Sequence, residues 1–337
     1  ARTAPRTRDE RFDLPDVVGM KPIVTLTLNP AIDSSCQAQE VHPVHKVRTF
    51  EERYDPGGGG INVARVIREL GGEAMAMYLA GGFTGEAFTH MLEAIGLPHR
   101  AVPIQGYTRV SHTVYERSTG KEYRFVPQGP EIREDEWRAC LRELDGLTFD
   151  YFVASGSLPR GVPDDFYADL ACMVRERGAR FVLDTSGEAL ARALDARVHL
   201  VKPNLRELES VFGRSLREPA LQEETAMELV ESGRAEIVTV SLGADGALLA
   251  TRAGCKRLRS PEVKPKSAVG AGDSFVGAMT VGLAQGRPVE DAFTLAVATG
   301  TATVLTMGTE LCRREDVERI YRQIKAEQGE PAAAARS

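Results

Sequence analysis

The segment Val269-Gly270-Ala271-Gly272-Asp273-Ser274 runs straight into Phe275, Val276, Ala278, Met279, Val281 and Leu283. A glycine-rich turn that opens an apolar helix leaves its first backbone N–H groups without intrahelical acceptors. The amides of Ala271, Gly272 and Asp273 therefore face outward as an anion site. A transferring phosphoryl group suits such a site, because its charge is spread over its equatorial oxygens. Asp273 adds a like charge there, which makes sense if the carboxylate accepts a proton from an attacking hydroxyl. The plainer alternative is that Asp273 is an N-cap carboxylate.

Two further segments carry chemistry or local structure, and the sequence leaves both open. Gly57-Gly58-Gly59-Gly60 abuts Ile61-Asn62 and a strongly amphipathic run, so close backbone approach to a ligand competes with a simple hinge. Asn62 would offer its amide to sugar hydroxyls. In Lys202-Pro203-Asn204-Leu205-Arg206-Glu207, Asn204 and Glu207 have the spacing of a capping box. The same pair, with Lys202, could also place magnesium and positive charge beside nucleotide phosphates, since magnesium keeps most of its waters. Ser155-Gly156-Ser157-Leu158-Pro159 and Ser241-Leu242-Gly243-Ala244-Asp245-Gly246 are ordinary strand-end turns by themselves. The P-loop pattern is absent, and no strand leads into G-x-G-x-x-G and a helix, which excludes P-loop kinases and argues against nicotinamide oxidoreductases. His42 and His45 lack a third ligand nearby and read as surface residues.

The elements that must position these residues follow an alternating order. Apolar runs at 23–28, 75–79, 151–154, 181–183, 200–201 and 237–240 read as strands, and helical stretches such as 61–70 and 84–95 separate most of them. That alternation specifies βαβ units and a mostly parallel, doubly wound sheet with helices on both faces. Residues 34–54 and 104–128 break the rhythm with polar–apolar alternation around Ser118-Thr119-Gly120-Lys121, which suits a small second sheet. Lys46, Arg48 and Arg109 fall inside these segments, as solvated edge charges or as a clamp for a substrate phosphate. The main domain is then 21–33, 55–103 and 129–325, with flexible tails at 1–20 and 326–337.

The 337 residues carry a net charge of −6 with no basic block, which argues against a nucleic-acid partner. No apolar run approaches the ~20 residues of a membrane span. Ala1–Arg11 is followed by no apolar stretch of the kind a secretion signal needs. Five scattered cysteines without a C-x-x-C pair point to reduced thiols in a cytoplasm.

Taken together, Gly57 to Asn62, Asn204-x-x-Glu207 and Gly270-Ala271-Gly272-Asp273, in that order, resemble the PfkB carbohydrate kinases of the ribokinase superfamily. The similarity extends from about Ile23 to Ile324, and is closest to the subgroup that phosphorylates fructose 6-phosphate, through stretches such as Ile32-Asp33-Ser34 and Tyr123-Arg124-Phe125-Val126. The resemblance implies a three-layer α/β/α ribokinase-like fold with a β-sheet lid, which covers the substrate and forms a homodimer interface. It implies that Asp273 is the catalytic base, with Gly270, Ala271 and Gly272 as anion hole. Asp33, Gly58, Gly59, Asn62 and Ser157 would hold the sugar, and Lys46, Arg48 and Arg109 its phosphate. Lys202, Asn204, Ser241, Gly243 and Gly246 would bind ATP, and Glu207 would hold Mg2+, mainly through water. Ser267 and Val269 match a potassium loop, in which Ala268 replaces a usual Thr, while Thr306 and Glu310 stand where Asn and Arg are typical. The implied reaction is transfer from ATP to the C1 hydroxyl of fructose 6-phosphate. Tagatose 6-phosphate or fructose 1-phosphate as acceptor, and a non-catalytic sugar- or nucleotide-binding regulator, are the alternatives.

Overall fold

A computed structural model of the chain describes residues 22–329. The expected N-terminal tail and residues 330–337 lie outside the described residues.

β1 (Ile23–Thr27) is buried on both faces, with Val24 and Leu26 in one apolar cluster and Ile23 in the opposite one. After Asn29-Pro30 the chain leaves the sheet for two strands, β2 (Ala31–Ala38) and β3 (Thr49–Gly57). It returns through α1 (Gly59–Glu69) to β4 (Ala74–Ala80), and α2 (Gly82–Ala94) leads to β5 (His99–Pro103). A second excursion forms β6 (Arg109–Glu116) and β7 (Lys121–Phe125), after which α3 (Glu134–Glu143) precedes β8 (Tyr151–Ser155). The alternation continues through α4 (Phe166–Glu176), β9 (Arg180–Asp184), α5 (Gly187–Asp195) and β10 (Val198–Val201). Next come α6 (Leu205–Phe212), α7 (Pro219–Glu231) and β11 (Ala235–Ser241). β12 (Ala247–Thr251) and β13 (Gly254–Leu258) close that edge as an antiparallel pair. The helices α8 (Ala271–Ala284), α9 (Val289–Thr303) and α10 (Arg314–Gly329) follow.

Among the described residues the large sheet has the order β13-β12-β11-β10-β9-β8-β1-β4-β5, parallel except at β12 and β13. The chain moves outward from β1 to β5, then crosses to the other side of β1 and moves outward again. The carboxyl ends of β1 and β8 are thus the switch point, where open α/β sheets form their ligand crevice. One face is covered by α1, α2, α8, α9 and α10, through Ile61, Phe88, Val276, Phe293 and Ile320. Opposite them lie α3 to α7, through Cys140, Phe166, Leu190, Leu208 and Leu229.

The second sheet has the order β3-β2-β6-β7, with β2 and β6 parallel and the outer pairs antiparallel. It begins at Ala31 and runs to Gly57, so Asp33 and Asp55 are lid-strand residues, whereas the sequence pattern ended the main domain at 33 and resumed it at 55. The reason is that β1 stops at the Asn29-Pro30 turn and pairing resumes directly, Ala31 with Gly57 and with Arg109. α10 likewise continues to Gly329, past the point where the C-terminal tail was expected. Side-chain bonds from Gln323 to Glu327 and from Gln328 to Thr294 extend along that last stretch.

α1 is seated against β1 without clearance. A Cβ at Gly60 would lie 2.4 Å from the Leu26 carbonyl oxygen, an atom of the strand itself. Gly60→Ala must therefore push the helix off the strand. The expected result is a loss of about 1–3 kcal/mol in unfolding free energy, read from urea titration.

Candidate active site

α8 begins at Gly270, whose φ of 75° is left-handed and suits glycine. No side chain caps this terminus. Asp273 is the third residue of the helix, in its first turn, and its Oδ2 accepts a hydrogen bond from Asn62 Nδ2 at 2.9 Å. The N-cap reading of Asp273 is therefore set aside, and the carboxylate faces across to α1. The turn also divides two cavities. Ala271 and Gly272 line one of about 710 Å³, Gly270 and Asp273 line another of about 390 Å³, and Ala268 borders both. A group transferred between the cavities must pass the open amides of the turn.

The smaller cavity gathers Asp33, Gly58, Gly59, Asn62, Arg109 and Ser157, residues that the sequence had pointed to in separate segments. The glycine run is packed and is no hinge. A Cβ at Gly57 would fall 1.9 Å from Asp33 Oδ2, and one at Gly59 would fall 2.3 Å from Ser155 Oγ. Ile61 N–H donates to Thr27 Oγ1 at 2.9 Å, which fixes the helix start on β1. Lys46 and Arg48 are not brought to this cavity. They stand exposed between β2 and β3, where the chain leaves the sheet. Sequence reasoning missed Arg124, Asp184 and Thr309, all of which line the cavity. Arg124 joins Arg109, Ser111 and Thr113 through the register of β6 and β7, which pairs it with Thr113 on the face that Arg109, Ser111 and Thr113 share at a period of two.

In the larger cavity Asn204, Ser241, Gly243 and Gly246 meet an apolar wall that includes Phe275, Val297 and Val304. Asn204 and Glu207 do form the capping box: Asn204 N–H donates to Glu207 Oε2 at 2.8 Å, and Glu207 N–H to Asn204 Oδ1 at 3.0 Å. The two side chains nonetheless reach different cavities, Asn204 the larger and Glu207 the smaller. Lys202 lines neither. It is buried with its Nζ 3.1 Å from Asp184 Oδ1, and a Cβ at Gly272 would lie 3.5 Å from that Nζ. Its charge acts from beneath the turn.

Among the described residues no group of three or more His, Cys, Asp or Glu side chains could enclose a metal ion. Glu207 fits magnesium only in the manner that magnesium prefers near nucleotides, with phosphates and water filling the remaining positions. Val269 N–H donates to Ser267 Oγ at 3.3 Å, and Val269 borders the smaller cavity. The Thr306 hydroxyl lies 2.7 Å from the Thr303 carbonyl and 2.5 Å from that of Glu310. It ties the loop after α9 where the resemblance led one to expect an Asn.

Burial pushes Asp273 up to about 6, with Asp184 adding to the effect, while Asn62 and Lys202 oppose it. Asp33 also rises to about 6 through burial, held back by Arg109, Arg124 and Arg65. Burial raises Glu207 against its bonds to Asn204. For Lys202, burial favours the neutral amine, but the fields of Asp184, Glu207 and Asp273 outweigh it and keep the ammonium. The site thus holds two carboxylates whose proton affinity lies just below neutrality, in the range useful to a general base.

These features define a sugar kinase, and the chain belongs to the pfkB family of carbohydrate kinases, whose profile matches residues 26–316. Its fold is ribokinase-like. The ATP-dependent 6-phosphofructokinase isozyme 2 of Mycobacterium tuberculosis is 45% identical over 305 residues, 90% of each chain. Crystal structures of Escherichia coli phosphofructokinase-2 are similar throughout. Its complex with potassium gives a TM-score of 0.88 at 40% identity, and its complex with fructose-6-phosphate gives 0.86 at 39%. Both cover 91% of this chain and 100% of that one.

The environment of Asp273 also bears on stability. The folded state holds this proton more tightly than the unfolded chain, in which Asp ionises near 3.8. Its favourable contribution is full below that value and is lost as pH rises through about 6. At pH 7.5 the buried, ionised carboxylate therefore weakens the fold. Asp273→Asn should raise the unfolding free energy at pH 7.5 by about 1–3 kcal/mol, with the gain shrinking below pH 6 in urea titrations.

Proposed function

We propose that this chain transfers the terminal phosphoryl group of ATP to the C1 hydroxyl of fructose 6-phosphate. The observation that carries the reading is the placement of Asp273, bonded to Asn62 at the junction of the two cavities and beside the open amides of the turn. ATP occupies the larger cavity, with its base against Phe275, Val297 and Val304 and its phosphates directed at Gly270–Gly272. The sugar lies in the smaller cavity, its hydroxyls on Asp33, Asn62 and the backbone of Gly58 and Gly59. Its phosphate is directed to Arg109 and Arg124. Asp273 takes the proton of the C1 hydroxyl as its oxygen attacks the γ-phosphorus in line and ADP leaves, and the turn amides receive the equatorial charge of the phosphoryl group. The protein contributes alignment and charge neutralisation, with little covalent chemistry of its own. A regulator that only binds would have no use for a carboxylate held near its titration point at that junction.

Magnesium belongs with the ATP phosphates, held by Glu207 through water. A potassium ion would be held beside Ser267 and Val269, where it would supply positive charge next to the turn. The lid carries exposed Tyr54 and Phe125 on its two edge strands, in one cross-strand row with Ser34 and His112 between them, a face that suits a homodimer. In such a dimer Lys46 and Arg48, exposed on this chain's lid, are free to serve the neighbouring cavity. The free cysteines accord with a cytoplasmic enzyme.

Steady-state kinetics with fructose 6-phosphate, fructose 1-phosphate and tagatose 6-phosphate test the acceptor. The expected order places fructose 6-phosphate first in kcat/KM, and a higher value for either of the others reassigns the enzyme. Asp273→Asn should lower kcat by about 10²–10⁴ with little change in KM. In the wild type kcat should fall as pH drops through about 6, because protonated Asp273 cannot accept the proton of the C1 hydroxyl. Arg124→Ala should raise the KM for the sugar phosphate about tenfold, the scale of one charge-assisted hydrogen bond, while the KM for ATP stays near normal.

A further inference from the structure

Arg65 follows Asn62 by three positions on α1, so the two side chains share a helix face. Its Nη1 donates to the Pro56 carbonyl at 3.0 Å and reaches the Asn62 amide oxygen at 3.4 Å. Its Nη2 lies 3.6 Å from Asp55 Oδ1. Asp55 is itself fixed, by Arg53 at 2.7 and 3.1 Å and by the Thr309 hydroxyl at 2.6 Å. The register of β2 and β3 sets Asp55 directly opposite Asp33. Like charges in that relation repel, and Arg65 is a counter-charge felt by both carboxylates.

A guanidinium has donors and no acceptor. An amide beside it is stable only with its oxygen toward the arginine, which turns the Asn62 NH2 toward Asp273. The reversed amide would oppose N–H to N–H at Arg65 and oxygen to carboxylate at Asp273. Both contacts would be repulsive. The direction of the Asn62 amide is therefore decided at both ends.

We propose that Arg65 is a positioning residue for phosphoryl transfer: anchored by Asp55 of the lid, it locks the Asn62 amide in the orientation that donates to Asp273. This rests on the reading of Asp273 as base. A path of four side chains then joins the loop after α9 to the reacting centre, from Thr309 through Asp55 and Arg65 to Asn62. A lid strand that is not seated releases Asp55, frees the guanidinium and lets the amide turn, so that the base is held ready only when the lid is in place. The other charges facing Asp273 are Asp184 of β9, Lys202 after β10 and Asp33 of β2. Those facing Asp33 are Arg109 of β6, Arg124 of β7, Arg65 and Asp55.

The test compares Arg65→Met in the wild-type and Asn62→Ala backgrounds, with kcat, both KM values and the pH profile of kcat as readouts. In the wild-type background kcat should fall about tenfold, the scale of a hydrogen bond to a charged group, and its acidic limb should move to higher pH. The KM for ATP should stay near normal, whereas that for the sugar should rise as Asp33 loses a counter-charge. In the Asn62→Ala background, Arg65→Met should leave kcat and the limb where Asn62→Ala alone put them. Equal losses in the two backgrounds, or an unmoved limb with unchanged kcat in the wild-type background, would overturn the proposal. If Arg65→Met does not fold, Asp55→Asn keeps the volume, releases the guanidinium and must give the same dependence on Asn62. Near-normal kcat in Asp273→Asn is a separate result, which removes the base assignment itself.

Discussion

A carboxylate buried at the junction of two cavities, in a place that favours its proton, is the constraint around which the site is arranged. Asp273 is raised by burial and by Asp184, and Asn62 and Lys202 act in the opposite direction. Those four groups come from α8, β9, α1 and the end of β10, elements that are distant in sequence. The doubly wound sheet brings them together because its strands end at one edge, and the switch between β1 and β8 opens a crevice there. The close seat of α1 on β1 has the same purpose. With no room between Gly60 and the Leu26 carbonyl, Asn62 is delivered at a fixed distance from α8.

Much of this arrangement was legible in the amino-acid order. The apolar runs at 23–28, 151–154 and 237–240 have the length and β-branching of buried strands, and they alternate with helices. The glycine turns were legible as well, since four consecutive glycines followed by a good helix have few uses. What escaped was set by pairing across space. Asp184 lies at the end of a short apolar strand and has no local signature; its meaning comes from Lys202, 3.1 Å away. Arg124 looks like any charge in a half-exposed hairpin until β6 and β7 are registered. Lys46 and Arg48 are the reverse case: their charge is plain in the sequence, but the excursion between β2 and β3 carries both away from this chain's own cavity.

Asn204 and Glu207 show why local and functional readings need not compete. The reciprocal bonds of a capping box hold both side chains rigid at the start of α6. That rigidity lets one helix end point a different residue at each of two cavities. By contrast the opening of α8 is bare. No side chain caps its first amides, and the turn before it lies at the junction of the two cavities.

The small sheet is made from two excursions, and its central pair, β2 and β6, consists of parallel neighbours drawn from different parts of the chain. Parallel partners so far apart cannot zip from a turn; they wait until the intervening β–α units have settled. The small sheet thus depends on the large one, because β4, α2 and β5 must bring Ala31–Ala38 and Arg109–Glu116 side by side before β2 and β6 can pair.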